Sequence, residues 1–151
     1  MIWEGNIEIR RGMKEVFDYT TEHFTEWSSH ISHIEFHDKA PAKQGSVFTA
    51  FLKQLSGQNG IDGIISDYHS PFLYSLKING ENFDLKVAFH FQITKHGSTL
   101  VKQISEINTK GSLKFFIGFM ALFFKNAASN RATRDLKNLK ALIEKQTSIG
   151  S

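Results

Sequence analysis

The sequence predicts an α+β fold with about seven antiparallel strands, two short helices after the first strand, and one long carboxy-terminal helix. Three observations carry this expectation. From Gly45 onward, turn signals recur every 10–14 residues: "SGQNG", "HSP", "NGEN", "KHG" and "NTKG". Several of the intervening segments alternate apolar and polar residues with a period of two, as a strand with one buried face does. From Leu113 to about Lys145 there is no proline and, after Gly118, no glycine, so one helix of some 30 residues can form.

The elements follow in order. "IWEGNIEIR" sets Trp3, Ile7 and Ile9 against Glu4, Asn6 and Glu8, an imperfect strand that Gly12 ends. In "MKEVFDYTTEHFTEWSSHI" the apolar positions Val16, Phe17, Tyr19, Phe24 and Trp27 suit one or two short helices, with Thr20 or Thr21 a candidate cap between them. "SHIEFHDKAP" reads as a short strand ended by Pro41. The strands "SVFTAFLKQL", "IDGIISDY", "FLYSLKI", "FDLKVAFHFQI" and "STLVKQISEI" come next, and Asn79-Gly80 is the strongest hairpin signal among their turns. The clearest alternation is Phe83, Leu85, Val87, Phe89, Phe91 and Ile93, with His90 among the residues turned to solvent. Phe72, Tyr74, Leu76 and Ile78 repeat it. In the last helix, which Ser112 can cap, Leu136, Leu139 and Ile143 form one apolar stripe.

The first half of that helix is different. "LKFFIGFMALFF" (113–124) holds one charge, Lys114, and five phenylalanines, and it is apolar on nearly every side. Such a segment must be enclosed as core, line a hydrophobic pocket, or meet a partner or a membrane surface. It is too short for the roughly 20 residues that span a bilayer.

Composition narrows the function classes. The 151 residues are one domain's worth, 40% hydrophobic and 22% charged. Fourteen phenylalanines, against three tyrosines and two tryptophans, favour a large dry interior. With no cysteine, neither disulfides nor thiolate metal sites are available. The amino terminus has no apolar core or cleavage site of a signal peptide, so a cytoplasmic protein is expected. The net charge of +3 is spread through strands and the last helix, without the basic, aromatic-interleaved face that nucleic acid requires. His30, His33 and His37 invite a metal site, but "IEF" reads as strand. Strand residues four apart lie about 13 Å from one another, too far for zinc–nitrogen bonds of about 2 Å. No nucleophile elbow, phosphate loop, dinucleotide fingerprint or H-E-x-x-H is present. No cofactor is expected.

The order of elements over essentially the whole chain resembles the helix-grip fold of the START-like superfamily, also called SRPBCC. "EVFDYTTEHFTEWSSHISHIE", "QGSVFTAFLK", "SDYHSPFLYSL", "HGSTLVKQISEI" and "RDLKNLKALIEK" are similar, in that order, to its polyketide cyclase/dehydrase and lipid-transport group. The resemblance implies a curved sheet wrapped around the long helix with a cavity between them. Phe48, Leu52, Tyr74, Leu76, Phe89 and Phe91 would line it from the sheet. Phe116, Met120 and Phe124 would face them from the helix, with Trp27 near one end. The strand "LVKQISEI" has no clean apolar face. The family pattern places Val101, Gln103, Ser105 and Ile107 inside, making Gln103 and Ser105 candidates to hydrogen-bond a ligand. The opposite register offers Leu100, Lys102, Ile104 and Glu106, and Glu106 would then be the catalytic candidate, its pKa raised by an apolar cavity. The implied function is binding of a lipid-, polyketide- or aromatic-like molecule as carrier or sensor. The alternatives are a cyclase- or dehydratase-type enzyme and a protein-interaction module, with a homodimer one form of the latter.

Overall fold

The computed structural model describes residues 2–29, 31–37, 43–52, 60–81, 83–110 and 128–146; for residue 52 and residues 128–132 it describes the backbone alone. Seven strands form one antiparallel sheet: β1 (Ile2–Ile9), β2 (Ile31–Phe36), β3 (Val47–Leu52), β4 (Ile61–His69), β5 (Leu73–Asn79), β6 (Phe83–Ile93) and β7 (Thr99–Thr109). Two short helices, α1 (Met13–Glu22) and α2 (Phe24–Trp27), lie between β1 and β2, and the helix α3 (Ala128–Lys145) follows β7. The greasy run 113–124 lies outside the described residues.

Across the sheet the strand order is β1-β7-β6-β5-β4-β3-β2. Every neighbouring pair is a hairpin except β1–β7, so β1 and β2, consecutive in sequence, end on opposite edges. Six interstrand gaps of about 4.8 Å put those edges about 29 Å apart in a flat sheet. The chain from 10 to 30 must close that distance, and α1 and α2 do so by crossing one face of the curved sheet. The apolar residues Val16, Phe17, Phe24 and Trp27 are buried beneath that crossing.

Gly12 takes an extended conformation and its carbonyl accepts the first helical bond from the Val16 N–H, without a side-chain cap. The expectation of a threonine cap between the helices is corrected. Thr20 and Thr21 sit inside α1, where their hydroxyls donate back to the carbonyls of Val16 and Asp18. The break falls at His23 (φ −117°, ψ 32°).

Cross-strand partners show which side chains share the inner face. Phe89 pairs with Tyr74 and Gln103, Val87 with Leu76 and Ser105, and Leu85 with Ile78 and Ile107. Gly63 belongs to this face. A Cβ there would meet the Phe48 ring at 2.5 Å and the Lys77 carbonyl at 2.8 Å, so the ring lying over β4 and the carbonyl beside it require glycine. A bulge at Ser66 shifts the β4 register, and on the outer side Ser75 donates to Asp67 while its oxygen lies 2.6 Å from that of Ser66.

Two expectations about the inner face fail at its rim. Phe72 is 61% exposed because it belongs to the β4–β5 turn, after the cis Ser70–Pro71 peptide bond, and not to the strand. Ile93 keeps the parity of Phe91 but is 65% exposed at the end of β6.

Helix α3 lies along β1 and buries Leu136, Leu139 and Ile143 completely. Its carboxy-terminal end is tied down by Arg11, whose guanidinium donates to the carbonyls of Glu144 (3.1 Å) and Gln146 (3.0 Å), groups with no partner inside the helix. Lys140 donates to the Glu8 carbonyl and to the Glu144 carboxylate, which holds the Glu144 pKa below its usual value.

Removing the packed stripe tests this arrangement. Leu139→Ala should lower unfolding stability by about 2–5 kcal/mol, as buried leucine truncations do. The exposed Lys137→Ala should stay within about 0.5 kcal/mol of the parent. Urea denaturation of the two variants reads both values, and equal midpoints would contradict the docking of α3.

Candidate functional site

The inner face divides into a closed end and an accessible end. At the closed end, aromatic rings meet edge to face between sheet and helices. Phe17 contacts Tyr68 (ring centroids 5.3 Å), Phe91 (5.1 Å) and Tyr74 (6.4 Å). Trp27 contacts Phe24 at 4.7 Å and Phe89 at 5.5 Å. Phe89 and Tyr74 stack at 6.4 Å. The Trp27 indole N–H donates to the Thr20 carbonyl, which satisfies its one polar atom.

Toward the other end the same face is less well covered. Leu85 and Val87 on β6 and Trp3 on β1 stay partly exposed, although Ile78, Leu76, Ser105 and Ile107 beside them are buried. Leu85 and Val87, on a central strand between buried neighbours, are thus apolar side chains packed against the core that keep part of their surface exposed.

Two polar side chains stand at this boundary. Strand β7 adopts the register with Val101, Gln103, Ser105 and Ile107 inward, all of them buried. Gln103 is 8% exposed, and its Nε2 donates to the Ser105 Oγ at 3.1 Å. Its Oε1 is buried with no hydrogen-bond partner among the described residues. An acceptor left so costs about 1–3 kcal/mol, so a partner that reaches it gains that much. Glu106, the alternative candidate, is corrected by this register. It projects from the opposite face, pairs in register with Ile2 and Lys86, and is absent from the interior.

Of the other residues expected to line the cavity, Trp27, Phe48, Tyr74, Leu76, Phe89 and Phe91 are all buried on the inner side. Leu52 follows Phe48 and Ala50 by alternation on β3, and its side chain is not described. Phe116, Met120 and Phe124 lie outside the described residues. Sequence reasoning missed Phe17 as the central aromatic contact, and Trp3 and Val87 as the accessible ones. The parity of Trp3 with Ile7 and Ile9, and of Val87 with Phe89, was the signal that could have found the last two.

The electrostatics of the inner face are simple. Among the described residues its strand positions carry no Asp, Glu, His, Lys or Arg. Its titratable groups are the tyrosines Tyr68 and Tyr74. Burial, with a smaller contribution from Tyr68, pushes the Tyr74 pKa far above the usual tyrosine value. His90 is exposed, as are His33, 3.3 Å from Glu35, and His37, which bonds the Thr49 hydroxyl at 2.7 Å. Among the described residues no cluster of three or more metal-ligating side chains occurs.

A separate cleft of about 670 Å³ lies on the surface where β1, the β6–β7 turn and α3 meet, lined by Glu8, Arg10, Arg11, Gly12, His96, Gly97, Ser98 and Lys140. Two of its cations are the ones that tie α3 to β1, so it reads first as the polar seam of that junction.

A seven-stranded antiparallel sheet with two short crossing helices and a carboxy-terminal helix on β1 is the helix-grip fold that Bet v 1-like proteins have. No family model and no curated protein sequence matches the chain. Solved structures of Bet v 1-like proteins share its fold over nearly its whole length. Ara h 8.0201 is 13% identical with a TM-score of 0.64, covering 97% of this chain and 99% of its own. A truncated norcoclaurine synthase from Thalictrum flavum is 9% identical with a TM-score of 0.66, covering 97% of this chain and 95% of its own. A conserved protein from Geobacillus kaustophilus is 16% identical with a TM-score of 0.61, covering 96% of both chains.

The buried tyrosine supplies a test of the closed end. A group whose folded pKa is raised stabilises the protein fully below its unfolded pKa of about 10 and loses that contribution as pH rises above it. Urea midpoints should therefore fall above about pH 10, and Tyr74→Phe should make that fall shallower. Parallel curves for parent and variant would mean that Tyr74 ionises freely.

Proposed function

We propose that the chain is a cytoplasmic carrier or sensor that holds a small hydrophobic molecule against the inner face of the sheet, between it and the carboxy-terminal helix. One observation carries this reading: partly exposed apolar side chains, Leu85 and Val87 on the central strand β6 and Trp3 on the edge strand β1, near a buried amide whose acceptor has no partner among the described residues. Enclosing a ligand there would remove apolar surface from water at about 25 cal/mol per Å². A few polar groups on a mostly apolar wall are what small-molecule sites present.

The fold supports the reading by likeness. A norcoclaurine synthase of the same fold, 9% identical with a TM-score of 0.66, and covering 99% of this chain and 89% of its own, has been solved in complex with dopamine and hydroxybenzaldehyde. That neighbour is an enzyme by name. Here the described strand positions of the inner face hold no acid or imidazole to move a proton near neutral pH, and the buried Asp135 of α3 accepts from the Ser29 N–H at 3.1 Å, which favours carriage over a cyclase- or dehydratase-type reaction. Among the described residues no helix is long and apolar enough to cross a membrane.

Native mass spectrometry of the freshly purified protein, with solvent extraction, tests the proposal directly. A co-purified hydrophobic molecule is the expected result. Filling the accessible space supplies the mutational counterpart. Val87→Trp should weaken binding of the neutral fluorescent probe N-phenyl-1-naphthylamine about tenfold. Its circular dichroism spectrum should stay as in the parent. A protein that is always empty and takes up no probe would sink the carrier reading.

A further inference from the structure

We infer that Gln103 and Ser105 form a hydroxyl-reading pair, and that the molecule held on the inner face is a neutral alcohol or phenol, as opposed to a fatty-acid-like carboxylate. This rests on the carrier reading above and deepens it.

The placement of the pair comes first. In register, Ser105 lies between Trp3 of β1 and Val87 of β6, both partly exposed on the inner face. Gln103 lies between Phe89 and Gly5, so on the β1 side no side chain stands beside its amide. By strand pairing Ser105 therefore neighbours the partly exposed Trp3 and Val87, and Gln103 neighbours Phe89 of the aromatic cluster, with its Oε1 itself closed to water.

The hydrogen bonding then selects the ligand group. As placed, the Gln103 amide donates to Ser105 and holds a buried Oε1 that accepts from no group among the described residues. The complementary group must donate. Turning the amide over does not remove the demand: the Ser105 hydroxyl would then donate to Oε1, and Nε2 would be left with unused hydrogens. A hydroxyl both donates and accepts, so it satisfies either orientation. An ether or ketone can meet only the second orientation.

A carboxylate fails on charge as well. It accepts and cannot donate, and the described inner face offers it no Lys, Arg or His. An ion carried into an apolar enclosure without a partner is strongly disfavoured. Binding to this pair breaks no covalent bond.

Three probes with one skeleton test the inference by isothermal titration at pH 7: 2-naphthol, 2-methoxynaphthalene and 2-naphthoate. The parent protein should bind the naphthol about three- to tenfold more tightly than the ether, the advantage of one neutral hydrogen bond, and the carboxylate most weakly. Gln103→Met, close in shape but without the amide, should erase the difference between naphthol and ether while still binding both. The Gln103 side-chain amide resonances of the parent should also shift with naphthol and not with the ether, a readout independent of whether the variant folds. If the probes bind without discrimination and the amide resonances do not move, the hydroxyl inference is overturned and the carrier reading stands. If none of the three binds, both fall.

Discussion

The edge-to-face contacts of Phe17, Trp27 and Phe89 are the interaction on which the rest of the structure depends. The strand order puts β1 and β2 on opposite edges, so the chain between them has to be pinned across the sheet. Helices of ten and four residues are too short to be stable alone and hold their shape only by what they bury. Phe17 reaches Tyr68, Tyr74 and Phe91, while Trp27 reaches Phe89, so two side chains on the crossing segment engage β4, β5 and β6. Aromatic pairs of this geometry are worth about 0.5–1.5 kcal/mol each beyond the area they bury. The carboxy-terminal helix packs against the same two crossing helices and is seated on β1 by Leu136, Leu139 and Ile143.

Much of this was legible because local chemistry and tertiary demand agree. Strand β6 alternates without ambiguity, Asn79-Gly80 begins the turn before it, and the stripe of α3 falls at helical spacing. The misreadings occur where the cause is not local. Phe72 continues the β5 alternation in the sequence, yet the turn at Pro71 takes it out of the strand. Ile93 continues the β6 alternation past the buried part of the strand and is exposed at its end. Thr20 and Thr21 look like caps, but a hydroxyl inside a helix can also bond the carbonyl a turn behind, and buried surroundings give it no better partner.

Strand β7 shows what decides a case that composition leaves open. Its two faces carry similar mixtures, Val101, Gln103, Ser105 and Ile107 against Leu100, Lys102, Ile104 and Glu106. Neither periodicity nor hydropathy separates them. The turn at 94–98, with Gly97 at φ 78°, fixes the register with β6, and the unambiguous face of β6 then carries the first set inward beside Phe89 and Val87. A sequence segment that cannot orient itself is oriented by the strand it pairs with. The price is a glutamine and a serine inside.

That consequence separates the polar interior from the polar surface. At the junction of β1 and α3, Arg11 donates to the Glu144 and Gln146 carbonyls and Lys140 to the Glu8 carbonyl and the Glu144 carboxylate, and the Arg11 Nε, which makes no hydrogen bond among the described residues, still lies 3.8 Å from the Glu15 carboxylate. Gln103 is not matched in this way. A leucine at that position would keep the inner face continuous between Val101 and Phe89 without leaving an acceptor unused, and such a face would fold at least as well. An amide that the fold does not require, beside apolar surface that the fold does not fully cover, is placed where a bound molecule would complete both.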